Sequence, residues 1–211
     1  MRFFRIPSYL RRLFPDILWQ QDGSSDHQIF LSFDDGPHDQ FTRPILTLLE
    51  RKHVLATFFV LGANVVNHVA MVAEMHQVGH SIGVHGWQHR RLIFDSTEAI
   101  VEDLQRCRST IESIIHAPVT YFRPPYGIFT PSILRACRQM QLQPVIWSYM
   151  SYDFDLRLSD EHVLRRLLAS LNSGDIVVLH DGHRHSHRTV ELLPKLIDRV
   201  RAQGFGFGAL K

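Results

Sequence analysis

The stretch QIFLSFDDGP, residues 28–37, reads as a strand that delivers two carboxylates to a turn. Ile29, Phe30, Leu31 and Phe33 form a near-continuous apolar run, the pattern of a strand at 28–33. Gly36-Pro37 then ends it. The same theme recurs outward along the chain. Apolar, β-branched runs at 55–61, 81–84, 119–122, 145–150, 176–179 and 205–210 read as six further strands.

Helical patterns fill the intervals. Thr42 is placed to cap a helix at 42–52, with Pro44 in its first turn. A second helix covers 69–77. The clearest one opens with Asp95 and Glu98 as a capping box, and Ile100, Leu104, Cys107, Ile111 and Ile114 follow at helical spacing. Thr130 and Pro131 start a helix to about residue 140, Ser159 caps one ending near Gly174, and a last helix covers 188–203. Strands alternating with helices predict parallel pairing through helical crossovers. A distorted barrel and an open doubly wound sheet both fit. The missing Gly-rich fingerprint after the first strand disfavours a dinucleotide fold.

Composition narrows the function class. The 211 residues are 45% hydrophobic and 21% charged, ordinary values for a globular chain. No apolar run approaches the roughly 18 residues of a membrane-spanning helix. The net charge is +2, of which Arg2, Arg5, Arg11 and Arg12 against Asp16 give +3 in the first twenty residues and the rest of the chain −1. The near-neutral remainder argues against nucleic acid as a partner. Cys107 and Cys137 fall on apolar helix faces and read as small core residues, a bridge being the lesser alternative. The composition stands out only in its 14 histidines.

Position gives those histidines meaning. Asp34 and Asp35 follow the first strand, His85 the third with His89 four residues on, and Arg123 the fourth. Asp153 lies just past the fifth, and His180 and Asp181 follow the sixth. All sit at C-terminal strand ends, which a parallel barrel gathers on one rim. Alone, Asp-Asp before Gly-Pro is a turn and His-x3-His is weak. Together they describe one site. His85 and His89, four residues apart, reach one cation, and Asp35 completes a three-ligand set with open positions. Asp34 is then free to take a proton from water, and His180 to protonate a leaving group, with Asp153 holding it cationic.

The segments SFDDGP (32–37), HGWQH (85–89), RPPYG (123–127), Asp153-Phe154 and Val178-Leu179-His180 stand in the order of the motifs of the NodB-homology polysaccharide deacetylases, carbohydrate esterase family 4. Ala56-Thr-Phe-Phe59 and Gly79-His-Ser-Ile-Gly83 resemble that family too, so the likeness covers roughly 28–210. It implies a distorted (β/α)7 barrel and metal-dependent removal of an N- or O-acetyl group from an amino-sugar polymer, oligosaccharide or lipid-linked sugar. By motif, Asp34 is the base and His180 the acid tuned by Asp153, while Arg123 orients Asp34. Asp35, His85 and His89 hold one divalent ion, Zn2+ first, with Co2+, Ni2+ or Fe2+ as alternatives. The Tyr126 N–H stabilises an oxyanion, and Pro125, Phe154, Val178 and Leu179 belong to the substrate pocket.

The chain also departs from the pattern. Gly86 stands for a usual Ser or Thr, Arg90 for Pro, Met150 for Asp, Phe154 for Trp and Val178 for Leu. Losing a hydroxyl at Gly86 is expected to loosen His85. Residues 1–25 are expected to be a lead-in segment packed on a deacetylase domain at 26–211. Peripheral membrane contact through 1–20 is the alternative. With no secretory signal legible, a cytoplasmic or membrane-surface location is expected. The partner is then a carbohydrate bearing acetamido groups, with no obligate protein partner. His183, His185 and His187 invite a second metal site, though exposed histidines are the simpler reading.

Overall fold

A computed structural model describes residues 4–21 and 27–211. A short helix α1 (Ser8–Leu13) comes first. Strands and helices then alternate: β1 (Gln28–Asp34), α2 (Thr42–Arg51), β2 (Thr57–Val60), α3 (Gly62–Val65), α4 (Val69–Gln77), β3 (Ser81–Val84), α5 (Thr97–Ile115) and β4 (Tyr121–Phe122). After them come α6 (Pro131–Met140), β5 (Gln143–Pro144), β6 (Tyr149–Met150), α7 (Asp160–Leu168), β7 (Ile176–His180), α8 (His187–Ala202) and β8 (Gly206–Gly208).

All strand pairs are parallel, in the order β5-β4-β3-β2-β1-β7-β6, and β8 pairs the first half of β1. The two outer strands belong to one stretch of chain. Residues 143–150 leave the β4 edge and arrive at the β7 edge, which curls the sheet into a distorted (β/α) barrel. Of the single strand expected at 145–150 only β6 at its end is strand, and β5 lies just ahead of it. The middle of that stretch cannot bond both edges at once. Ile146 instead donates to Leu18 of the N-terminal segment at 2.9 Å.

Period-two alternation sorts β1. Ile29, Leu31 and Phe33 pack with the helices in the main core, and Phe30 packs with Phe59, Val145, Ile176 and Leu210 in a separate cluster. Ser32 and Asp34 share the Phe30 side. In register, Asp34 lies beside Phe59 of β2 and His180 of β7. The carboxyl ends of the central strands are thus level, and their last side chains meet.

Ser96 caps α5 by accepting from the Ala99 N–H, and Thr130 and Ser159 cap α6 and α7 in the same way. The expected cap at Asp95 is displaced by one residue because Asp95 pairs with Arg90 instead. Thr42 is the first residue of α2, not its cap. Its hydroxyl accepts from the His38 N–H and donates to Asp181. The helix expected to run near Gly174 stops at Leu168, where Asp175 folds the chain back by accepting from the Asn172 N–H. Both cysteines are buried free thiols.

The N-terminal segment is woven into the barrel. Phe4, Ile17 and Trp19 are buried. Ile6 donates to Ser148, Met150 to Phe4 and Leu18 to Pro144. Arg5 makes a two-pronged contact with the fully buried Asp175, which also accepts from Gln20 and Ser148. Among the described residues no helix is long and apolar enough to cross a membrane.

Candidate active site at the carboxyl ends of the strands

Asp35 follows β1 with φ +77°, a left-handed conformation that aspartate tolerates better than most residues. Its Oδ1 lies 3.4 Å from His85 Nε2 and 3.3 Å from His89 Nε2. One ligand atom from each of the three lies within 4.8 Å of the others, the one such grouping among the described residues. His85 Nδ1 donates to the Arg123 carbonyl at 2.7 Å. That bond leaves Nε2 as the ring nitrogen facing Asp35.

An imidazole nitrogen and a carboxylate oxygen facing each other across such gaps attract only through a proton or a metal cation between them. Asp35 Oδ1 is also buried with no hydrogen-bond partner among the described residues, an orphan that needs a ligand. Donors held at about 2.0–2.2 Å around a tetrahedral cation stand roughly 3.4 Å apart. The donor set of two imidazoles and one carboxylate therefore fits a borderline divalent ion. Burial works against the Asp35 charge. The His85 contact and the fields of His85, His180 and His89 outweigh it, so its pKa falls well below the carboxylate range. Burial likewise holds His89 below the usual imidazole value, toward the neutral form that ligates.

Asp34 faces the other way. Its Oδ1 accepts from Arg123 Nη1 at 2.6 Å, and the same nitrogen lies 2.9 Å from Ser32 Oγ. The Arg123 guanidinium is fully buried and stacks 4.0 Å above the Phe59 ring. Burial lowers its pKa and Asp34 raises it, yet a guanidinium stays charged.

His180 ends β7. Its Nδ1 donates to Asp153 Oδ1 at 2.8 Å, and its backbone N–H donates to Asp153 Oδ2 at 2.7 Å. Ser151 and Thr189 hydroxyls donate to the same carboxylate. Burial opposes the His180 charge, but the Asp153 charge and hydrogen bond, aided by Asp35 and Asp34, raise its pKa to about 9.

A cavity of about 240 Å³ joins these groups. Asp34, Asp35, His85, His89 and His180 line it, with Tyr126, Trp147, Met150, Phe154 and His183. Tyr126 sits in a turn at φ +61° with its ring 4.3 Å from that of His89. Gly127 beside it is required, since a Cβ there would lie 2.4 Å from the Trp147 ring. Pro125, Val178 and Leu179 are buried outside the cavity lining. Leu179 points to the helix side of the sheet, and Val178 lies lower in the barrel among Ile17, Trp19, Ile146 and Trp147.

Trp147, Met150 and His183 line the cavity although sequence reasoning assigned them no pocket role. The signal for Trp147 was its place on the broken fifth strand ahead of Asp153, and His183 follows His180 by three residues. No second metal grouping forms at His183, His185 and His187 among the described residues.

Two departures from the motif pattern have local explanations. Gly86 has φ +93°, and the neighbouring Trp87 N–H bonds Asp103. His85 is anchored through Arg123 rather than by a hydroxyl at 86. Arg90 pairs with Asp95 and Asp103, tying down the loop after His89.

A family model described as polysaccharide deacetylase matches residues 21–145. A peptidoglycan-N-acetylglucosamine deacetylase of Bacillus cereus is 31% identical over 180 residues, covering 85% of this chain and 84% of that protein. A chitooligosaccharide deacetylase of Rhizobium leguminosarum bv. trifolii is 32% identical over 172 residues, covering 82% and 80%. Among solved structures, a family 4 acetyl xylan esterase from Clostridium thermocellum in complex with a cobalt ion superposes with a TM-score of 0.80 at 26% identity, covering 86% of this chain and 87% of that one.

Proposed function

The chain belongs to the polysaccharide deacetylase family, and from that premise we propose that it is a divalent-metal-dependent hydrolase that removes N-acetyl groups from an amino-sugar polymer or oligosaccharide. The observation that carries this reading is one cavity lined by a three-donor cluster, an arginine-held carboxylate and a cationic imidazole.

Asp35, His85 and His89 would hold the ion, with Zn2+ the first candidate. When bound, it supplies a Lewis acid that polarises the acetyl carbonyl and makes water easier to deprotonate. Asp34 takes the proton of the attacking water, and Arg123 aims its carboxylate. The backbone N–H of Tyr126 donates to the oxygen that becomes negative as the carbonyl carbon turns tetrahedral. His180, protonated through its pairing with Asp153, gives its Nε2 proton to the departing amine nitrogen. The C–N bond breaks, and acetate and the free amine leave. Trp147, Met150 and Phe154 form the apolar wall suited to the acetyl methyl.

Acetate release from N-acetylglucosamine oligomers tests this. Activity should vanish after chelation and return with added Zn2+ or Co2+. Activity indifferent to chelation would remove the metal from the mechanism. No release under any metal would leave a sugar-binding protein without turnover, or an amide hydrolase acting on a non-sugar C–N bond.

A further inference from the structure

Asp181 follows the acid His180 and has no part in the chemistry above, yet it is buried against the loop that carries the base and the ligand carboxylate. Its backbone N–H donates to the Asp34 carbonyl at 3.0 Å. Its carboxylate accepts from Thr42 Oγ1 at the start of α2, at 2.5 Å, through Oδ2, and its Oδ1 is buried with no hydrogen-bond partner among the described residues. Two further carbonyls of that loop are held from the other side. The Asp35 carbonyl accepts from Asn64 Nδ2 at 2.8 Å, and the Gly36 carbonyl accepts from the Leu61 N–H at 2.9 Å.

The fit leaves no slack. A Cβ on Gly36 would lie 2.2 Å from Asp181 Oδ2, and one on Gly182 would lie 2.2 Å from the Asp35 carbonyl oxygen. Asp181-Gly182 thus closes on the Asp34–Gly36 loop from the β7 side. Asp35 needs that support, because its positive φ is held only while the surroundings over-determine it.

We propose that Asp181 is a positioning residue: with Thr42 it clamps the Asp34-Asp35-Gly36 loop so that the Asp35 carboxylate meets His85 and His89 in ligating geometry. This rests on the metal site proposed above. Partners that orient a ligand from behind are typically worth about 10–100-fold in metal affinity.

The test is the zinc dissociation constant, measured by chelator competition, beside the melting temperature of the metal-free protein. Asp181→Ala and Thr42→Val should each weaken zinc binding by about tenfold or more. Asp181→Asn, which keeps an acceptor oxygen for Thr42, should recover most of the affinity. Gly36→Ala should also weaken zinc. Its effect should shrink in the Asp181→Ala background, where the colliding carboxylate is gone.

Unchanged zinc affinity in folded Asp181→Ala and Thr42→Val would overturn the proposal. So would strictly additive effects of Gly36→Ala and Asp181→Ala, or an affinity loss that only follows a loss of melting temperature. Where Asp181→Ala does not fold, Thr42→Val decides alone. Wild-type protein that binds no zinc overturns this clamp and the metal reading together. A zinc-binding wild type with indifferent variants overturns the clamp only.

Discussion

His85 donates from Nδ1 to the carbonyl oxygen of Arg123 at 2.7 Å, so the backbone of Arg123 orients the proposed metal ligand while its side chain holds the proposed base. The guanidinium of Arg123 reaches Asp34 at 2.6 Å. One residue therefore serves both halves of the site through different atoms. In Arg123→Met the carbonyl remains, so the metal content should stay near that of the wild type. Asp34 would be left buried without its counter-charge, and stability should drop by about 3–5 kcal/mol. Denaturant melts and elemental analysis of the same preparation check both halves.

Asp34 and Asp35 are neighbours with different partners, and their amides should behave differently. Asp34→Asn should retain the metal and lose rate by on the order of 10²–10⁴, the usual worth of general acid–base catalysis. Asp35→Asn should bind metal weakly, because an amide is an uncharged ligand. Excess Zn2+ should then restore part of the activity of Asp35→Asn and none of that of Asp34→Asn. Rescue confined to position 34 would show the two roles to be reversed.

The His180–Asp153 pair predicts a pH dependence. The proposed proton donor must be protonated, and although burial opposes its charge, Asp153 raises the His180 pKa to about 9. Activity should hold up to that region and fall above it. Asp153→Asn removes the negative charge, so the alkaline limb should move toward lower pH, in the direction of an ordinary imidazole. A pH–rate profile in which the limb stays put would free Asp153 of this role.

We propose that residues 4–21 belong to the folded unit. Arg5 is the cation beside Asp175, a carboxylate with no exposed side-chain surface. Arg5→Ala should destabilise by about 2–3 kcal/mol, since it leaves a buried charge with weaker partners. At this chain length that is a melting shift of roughly 5–10 °C. Liposome flotation of the same variant should match the wild type at background. Binding of the wild type to anionic liposomes that the N-terminal truncation abolishes would instead favour a membrane role for the segment.

Much of the barrel is legible because its rules are local. The apolar run before Asp34, the helical stripe from Ile100 to Ile111 and the caps at Thr130 and Ser159 each need only a short window of sequence. Boundaries slip where a side chain chooses a distant partner over a nearby one. Asp95 turns to Arg90 and leaves Ser96 to cap α5. Thr42 turns to Asp181 rather than capping α2.

That Asp34, Asp35, His85, His89 and His180 meet in one cavity can be read from the sequence alone, because side chains at the carboxyl ends of parallel strands gather on one rim. Tertiary structure decides which atoms meet. It turns Leu179 to the helix side, seats Val178 low in the barrel and brings Trp147, Met150 and His183 to the cavity. It also breaks the fifth strand between two sheet edges and fills the break with Leu18. Periodicity tells which residues share a face of one strand. Only the closure of the sheet sets the depth at which that face ends, and which segments, distant in sequence, supply the hydrogen bonds it lacks.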